Sequence, residues 1–228
     1  MSNSLNISDK SVILVHTFVN VVRNVATRYA PSRLLSFGEV HIFKTFQLLK
    51  ENRRISRVLL MEELALGEGA IKTLVKHMKM DNLITTSNGG TRLTPRGKAI
   101  CKGLTTAIPT ETPIPKCSIA PGKFNHALLL KDLSYVIKSG IEQRDAAIRM
   151  EATGATTLLY KDRKIVMPTD TNQDSLRKDP AVRKLLIEKL KPEHDDVIII
   201  GSSDTSQKIA ELAAKHAALS TLVSHEDH

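Results

Sequence analysis

Tryptophan is absent from this chain, and Phe, Tyr and Trp together make up only 4% of it, so the 41% of residues that are hydrophobic are overwhelmingly aliphatic. Cysteine is almost as scarce. The two copies, Cys101 and Cys117, form no CxxC pair and stand in no His/Cys ligand spacing, which argues against a disulfide framework or a zinc site and reads as two reduced thiols. No apolar run is long enough to cross a bilayer, so no membrane partner is expected. The opening "MSNSLNISDK" lacks the basic-then-apolar layout of a secretory signal, and a cytoplasmic location is the expectation.

Catalytic patterns are missing too. No Gly-rich stretch is followed by the lysine of a P-loop, and GxGxxG does not occur, which argues against a nucleotide-hydrolysing site. No Ser-His-Asp or Cys-His arrangement follows from the spacing, and the eight histidines are scattered. The clusters "PEHDD" (192–196) and "SHEDH" (224–228) carry metal-ligating residue types, but a solvated loop and a frayed tail explain them more simply. The expectation is a protein that is not an enzyme and holds no metal and no cofactor.

What the chain does have is positive charge, placed unevenly. The formal net charge is +9 and the pI about 9.6. Residues 1–104 carry 16 Lys and Arg against 7 Asp and Glu, residues 105–122 carry one of each sign, and residues 123–228 carry 16 against 16. The whole excess lies in the front half, as expected if that half meets a polyanion and the back half does not. The charge boundary coincides with "TTAIPTETPIPKCSIAPG", which holds four prolines and no helical periodicity and reads as an extended connector. Three parts follow: a domain over 1–104, a Pro-rich linker over 105–122, and a second domain over 123–228.

In the first domain, "SVILVHTFVNVVRNVATRYA" places Val15, Phe18, Val22, Val25 and Tyr29 on one helical stripe, with a strand as the alternative because so many residues are β-branched. The stripe has two candidate partners, its own domain or the same helix of a second subunit. Residues 36–54 space Val40, Phe43, Phe46 (or Gln47) and Leu49/Lys50 as a helix with Ser36 as a cap. "ISRVLLMEELAL" reads as a short helix capped by Ser56, "LGEG" breaks it, and another helix runs over 69–82. "LITTSNGGTRLT" then predicts a hairpin around Asn88-Gly89-Gly90, with Asn-Gly supplying the positive φ angles of its tight turn. Pro95 opens a closing helix. This order is that of a winged helix-turn-helix.

Residues of a helix project about 100° apart. Over 69–82 that puts Ile71, Leu74, Val75 and Met78 on the core side and Lys72, Lys76 and Lys79 opposite, with Thr73 and Met80 beside them. The second helix of a helix-turn-helix enters the major groove, where phosphate contacts set register and base contacts set specificity. The lysines suit phosphates, Glu68 and Thr73 suit base edges, and Arg92 on the return arm suits a minor groove or a phosphate. The plainer reading is a solvated lysine face, or a winged helix that binds only proteins. Motif order, the Asn-Gly-Gly hairpin and the charge segregation together favour double-stranded DNA.

The back half alternates "FNHALLL" (strand), a helix from about Ser139, a hairpin in "GATTLLYKDRKIVMP", the helix "DPAVRKLLIEKL", the buried strand "DVIIIGSS" and a final helix from "DTSQK" onward. The fold class is therefore α+β, a winged helix-turn-helix joined to a mixed α/β domain. Two places invite a ligand. Asp145 projects into the middle of a stripe formed by Ile141, Ile148 and Ala152, with Arg149 four residues on. A carboxylate buried there needs a pair, a hydrogen bond or a pocket. Gly201, Ser202 and Ser203 follow an apolar strand and precede a helix, an arrangement that offers N–H groups and hydroxyls to an anion. Ordinary explanations stand beside both: a structural Asp, and helix capping by Asp204 or Ser203 with Gln207. If the sharper readings hold, the partner is a small anionic metabolite.

Together "GEGAIKTLVKHMKMDNLI", "TRLTPRGK", "SGIEQRDAAIR", "GATTLLYKDRKIVMP" and "DVIIIGSSD" resemble a group of archaeal proteins in which a winged helix precedes a C-terminal domain of unknown function. The resemblance spans nearly the whole chain, and "IEQRDAAIR" and "IIIGSSD" are its more distinctive parts. It implies a transcriptional regulator. It supplies no ligand and no catalytic residue. A homodimer is the expectation for such a fold reading a palindrome. Two other functions compete with regulation by DNA binding: an enzyme acting on a phosphorylated metabolite in the C-terminal domain, and a winged helix used for protein–protein assembly.

Overall fold

Two structural units divide the chain between Thr105 and Thr106, and the computed structural model describes residues 7–27 and 35–224. The first unit begins with α1 (Ile7–Thr27), which is a helix despite its β-branched content. Val22 and Val25 are buried on the expected stripe, Val15 and Phe18 are half-buried, and Tyr29 lies outside the described residues. Val19 and Ala26 widen the buried face. The Val25 carbonyl lies 3.0 Å from Nδ1 of His77, so this part of α1 packs within its own unit.

Then come α2 (Glu39–Asn52), α3 (Arg57–Leu64), α4 (Glu68–Met80), the hairpin strands β1 (Ile84–Ser87) and β2 (Gly90–Leu93), and α5 (Pro95–Ala107). Ser36 is not the cap of α2. Gly38 holds that position, three residues before His41, whose ring accepts its N–H at 3.1 Å. Ser56 does cap α3, accepting the Leu59 N–H, and Thr94 caps α5 by accepting from Gly97. Ala65, in the left-handed region at φ 53°, stops α3 and lets α4 begin after Gly67. Ile55 pairs with Thr91 through two backbone hydrogen bonds and adds a third segment to the hairpin. Of Asn88, Gly89 and Gly90, only Gly90 has a positive φ (107°), because the chain must pass close to Ile55 there: a Cβ on Gly90 would lie 2.8 Å from the Ile55 carbonyl oxygen.

The second unit is one antiparallel sheet in the order β3-β4-β7-β5-β6, built from β3 (Glu111–Ile114), β4 (Phe124–Leu130), β5 (Gly154–Lys161), β6 (Lys164–Val166) and β7 (Val197–Ser203). The presence of β3 corrects the reading of 105–122 as a connector. That stretch is extended beyond Ala107, but Glu111–Ile114 pairs with Leu128–Asn125 as an edge strand, the one place in a sheet where Pro113, lacking an N–H, does no harm. The β5–β6 turn is Asp162-Arg163, both at positive φ as a two-residue hairpin loop requires.

Strand β7 is central, and every residue of it is buried, which is why it opens on the apolar run Val197–Ile200 before Gly201, Ser202 and Ser203. On one face Ala127, Leu129, Leu158, Ile198 and Ile200 pack with Val182, Leu186 and Leu190 of α7 (Pro180–Leu190). On the other, α6 (Ile141–Ile148) and α8 (Gln207–Ser224) join through Ala147, Ala152 and Ala213. The molecule is thus mixed α/β in composition, with two separate sheets.

Candidate functional site

The apolar positions of α4 face inward as its spacing dictates. Ile71, Leu74 and Met78 are fully buried and Val75 nearly so, which leaves Lys72, Lys76 and Lys79 on the open side. These three lysines, Val75, Met80, Thr86 of β1 and Arg57 line a shallow concavity of about 280 Å³. Arg57 carries no signal of its own in the sequence pattern. It stands in the first turn of α3, where the helix dipole disfavours a cation, and that misplacement is the clue that could have flagged it.

The other predicted residues are distributed differently. Glu68 binds Lys72 at 2.7 Å in an exposed i,i+4 pair, and that hydrogen bond and the Lys72 charge hold its carboxyl below the usual value. Lys72 is therefore partly neutralised, whereas no carboxylate lies within 4.0 Å of Lys76, Lys79 or Arg57 among the described residues. Thr73 donates its hydroxyl back to the Gly69 carbonyl at 3.0 Å, which leaves its oxygen lone pairs to accept. Arg92 donates to Thr85 Oγ1 across the hairpin at 3.2 Å, on the opposite face of the ribbon from Thr86, so it does not join the lysine concavity.

In the second unit the sequence-derived ligand residues do not assemble. Asp145 is exposed, not buried, and pairs with its neighbour Arg144 at 3.2 Å instead of with Arg149. The inward face of α6 is Gln143, Ala146 and Ala147, while Ile141 and Ile148 are about half exposed, so the stripe read from the isoleucines is the outer one. Arg149 is exposed at the end of the same helix. Gly201 and Ser202 are held in β7 between β4 and β5, and Ser203, also buried, pairs with Phe124 of β4. Gly201 is there for packing: a Cβ on it would lie 2.7 Å from the Ala214 nitrogen and closer still to the Ala210 carbonyl oxygen of α8. Ser202 donates to Asn125 Oδ1 at 2.7 Å, and Ser203 accepts from the Thr205 N–H. Ser206, not Asp204 or Ser203, caps α8 by accepting from Ile209.

One polar group in this unit escaped the sequence reading because its members come from three elements. Lys215 of α8 is 1% exposed and binds Glu211 on its own helix and Glu111 of β3, the latter at 2.9 Å. His126 of β4 lies 3.4 Å from Glu111 on its other side. Burial alone would raise the Glu111 carboxyl, but His126 and the Lys215 ammonium outweigh it and bring the value from 4.5 down to about 2. The histidine contact, Nε2 to Oε2 at 3.4 Å, is a charge proximity and not a well-formed hydrogen bond, and Lys215 makes the shorter contact of the two. Among the described residues no three His, Cys, Asp or Glu side chains come together to hold a metal ion, and no helix is long and apolar enough to cross a membrane.

By fold this is a two-unit mixed α/β protein, with a basic helical unit and an antiparallel, helix-covered sheet. Residues 121–222 match a family described as a domain of unknown function (DUF4443). Across 84% of its length the chain is similar in structure to the archaeal hypothetical protein PH0730 from Pyrococcus horikoshii OT3, with a TM-score of 0.67 and 28% sequence identity over 95% of that chain. No curated protein matches the sequence.

Proposed function

We propose that the first unit is a winged helix-turn-helix that binds double-stranded DNA, and that the protein regulates transcription from the cytoplasm. The observation that carries this reading is the convergence of Arg57, Lys76 and Lys79 on one concavity between α4 and the hairpin, with no ion pair to any of them among the described residues and only the longer-range charge of Glu68 felt by Arg57. In a helix-turn-helix that helix is the one that enters the major groove, and unpaired cations on its open face would displace counterions from phosphates. Glu68 and Thr73 lie toward its N-terminal end, where base edges are read. The second unit has the role of a responsive domain, and a metabolite effector for it is an open proposal that no longer rests on Asp145, Arg149 or Gly201 to Ser203. Competition binding of the intact chain to a labelled duplex tests the reading. Displacement by unlabelled duplex at lower concentration than by single-stranded DNA or heparin is expected, and equal displacement by all three would reduce the site to a nonspecific polyanion surface.

A second reading, protein–protein assembly, has one observation in its favour. Val58 of α3 and Met80 of α4 are 63% and 53% exposed in the same unit as the lysines. It predicts duplex binding that stays weak even at low salt.

A further inference from the structure

A second recess, of about 530 Å³, lies in the first unit between the hairpin tip and the chain leading into α3. It shares Arg57 and Thr86 with the lysine concavity, so the two recesses adjoin. Its walls are Arg54 and Arg57 on one side and Ser87, Asn88 and Gly89 on the other. Arg54 and Arg57 are exposed, and among the described residues neither has a carboxylate within 4.0 Å. Three carboxylates of the same unit form their ion pairs with other cations, Glu39 with Arg23, Glu63 with Lys44 and Glu68 with Lys72, although the Glu68 charge is also felt by Arg57.

Arg54 lies close to the hairpin tip. A Cβ on Gly89 would lie 2.5 Å from an Arg54 terminal nitrogen, so the guanidinium lies against the hairpin tip in space that a side chain at residue 89 would make it share. The tip itself is held to the chain before α3 by the Ile55–Thr91 pairing. A planar, permanently charged fork is thereby presented at the mouth of a recess lined by hydroxyl and amide groups, the chemistry that suits a tetrahedral anion.

We infer that this recess is a distinct phosphodiester-binding site, in which Arg54 with Arg57 clamps a backbone phosphate while the neighbouring lysine concavity holds the helix in register. The inference rests on the DNA reading and extends it to residues outside α4. Such a clamp carries no base information, so it acts equally on all sequences.

The test is duplex binding by the intact chain across a salt series, for the wild type, Arg54→Ala, Arg54→Lys, Lys76→Ala/Lys79→Ala and the control Lys98→Ala, an exposed α5 cation outside both recesses. Removing one cation from a phosphate should lower the slope of log K against log salt by about one. Arg54→Ala should do so and weaken specific and nonspecific duplexes by the same factor. Arg54→Lys should keep the slope and lose part of the affinity, and Lys98→Ala should match the wild type. If Lys76→Ala/Lys79→Ala flattens the slope while Arg54→Ala does not, or if Lys98→Ala acts as strongly as Arg54→Ala, the clamp is overturned and the DNA reading survives. A wild type without salt-dependent binding overturns both.

Discussion

Lys76 and Lys215 are the same residue type on helices of the two units, and they have opposite surroundings. Lys76 is exposed on the rim of a concavity with no carboxylate within 4.0 Å among the described residues, whereas Lys215 is 1% exposed between Glu111 and Glu211. The pattern extends outward from each. In the second unit Lys131 is bound by Glu193 and the fully buried Asp196, and Arg183 by Asp174. In the first, Arg54, Arg57, Lys76 and Lys79 have no such ion pair among the described residues. A cation whose counter-charge is supplied by the chain serves the fold, whereas several unpaired cations gathered on one concavity are what the proposed binding surface rests on. Arg149 of the second unit, exposed and without an ion pair among the described residues, joins no such gathering.

The comparison breaks most visibly at Lys215. Lys215→Ala strands two carboxylates in a largely buried setting, and a loss of about 3–5 kcal/mol is expected in urea denaturation of the intact protein. A loss below about 1 kcal/mol would show that Lys215 is not paired as described. Acid should act on the same network. The folded value of Glu111, about 2, lies below its ordinary 4.5. Its contribution is therefore complete above pH 4.5 and is lost as pH falls through that value toward 2, up to about 3 kcal/mol. Glu111→Gln should remove this part of the acid sensitivity, and a variant with the wild-type pH–stability curve would contradict it.

Smaller effects sharpen the picture of the second unit. Gly201→Ala forces a methyl group against the backbone of α8 and should cost about 1–3 kcal/mol, read as a drop in the denaturation midpoint. Asp145→Ala removes an exposed pair with Arg144 and should change stability by less than about 0.5 kcal/mol. A loss of several kcal/mol there would restore the buried-carboxylate reading.

These contrasts explain how much was legible in the sequence. The face of α4 was readable because Ile71, Leu74, Val75 and Met78 are large and regularly spaced, and Ser56 and Pro95 mark helix starts by their local chemistry. Asp145 was misplaced because the inward face of α6 is alanine and glutamine, which carry little hydrophobic signal beside Ile141 and Ile148. Gly201 to Ser203 looked like a loop because a glycine and two serines resemble a strand end, although β4 pairs with all three and β5 with Gly201 and Ser202. Four prolines hid the edge strand β3. Arg54, Arg57 and the Glu111–His126–Lys215 network come together only through tertiary packing, which periodicity does not encode.

The most direct measurement pairs binding with stability in one variant, Lys76→Ala/Lys79→Ala, using fluorescence polarisation of a labelled duplex across a salt series beside urea denaturation of the same protein. The account predicts a salt slope lower by about two and a denaturation free energy within about 0.5 kcal/mol of the wild type. A slope equal to that of the wild type would contradict it, and partner proteins would then be the better search.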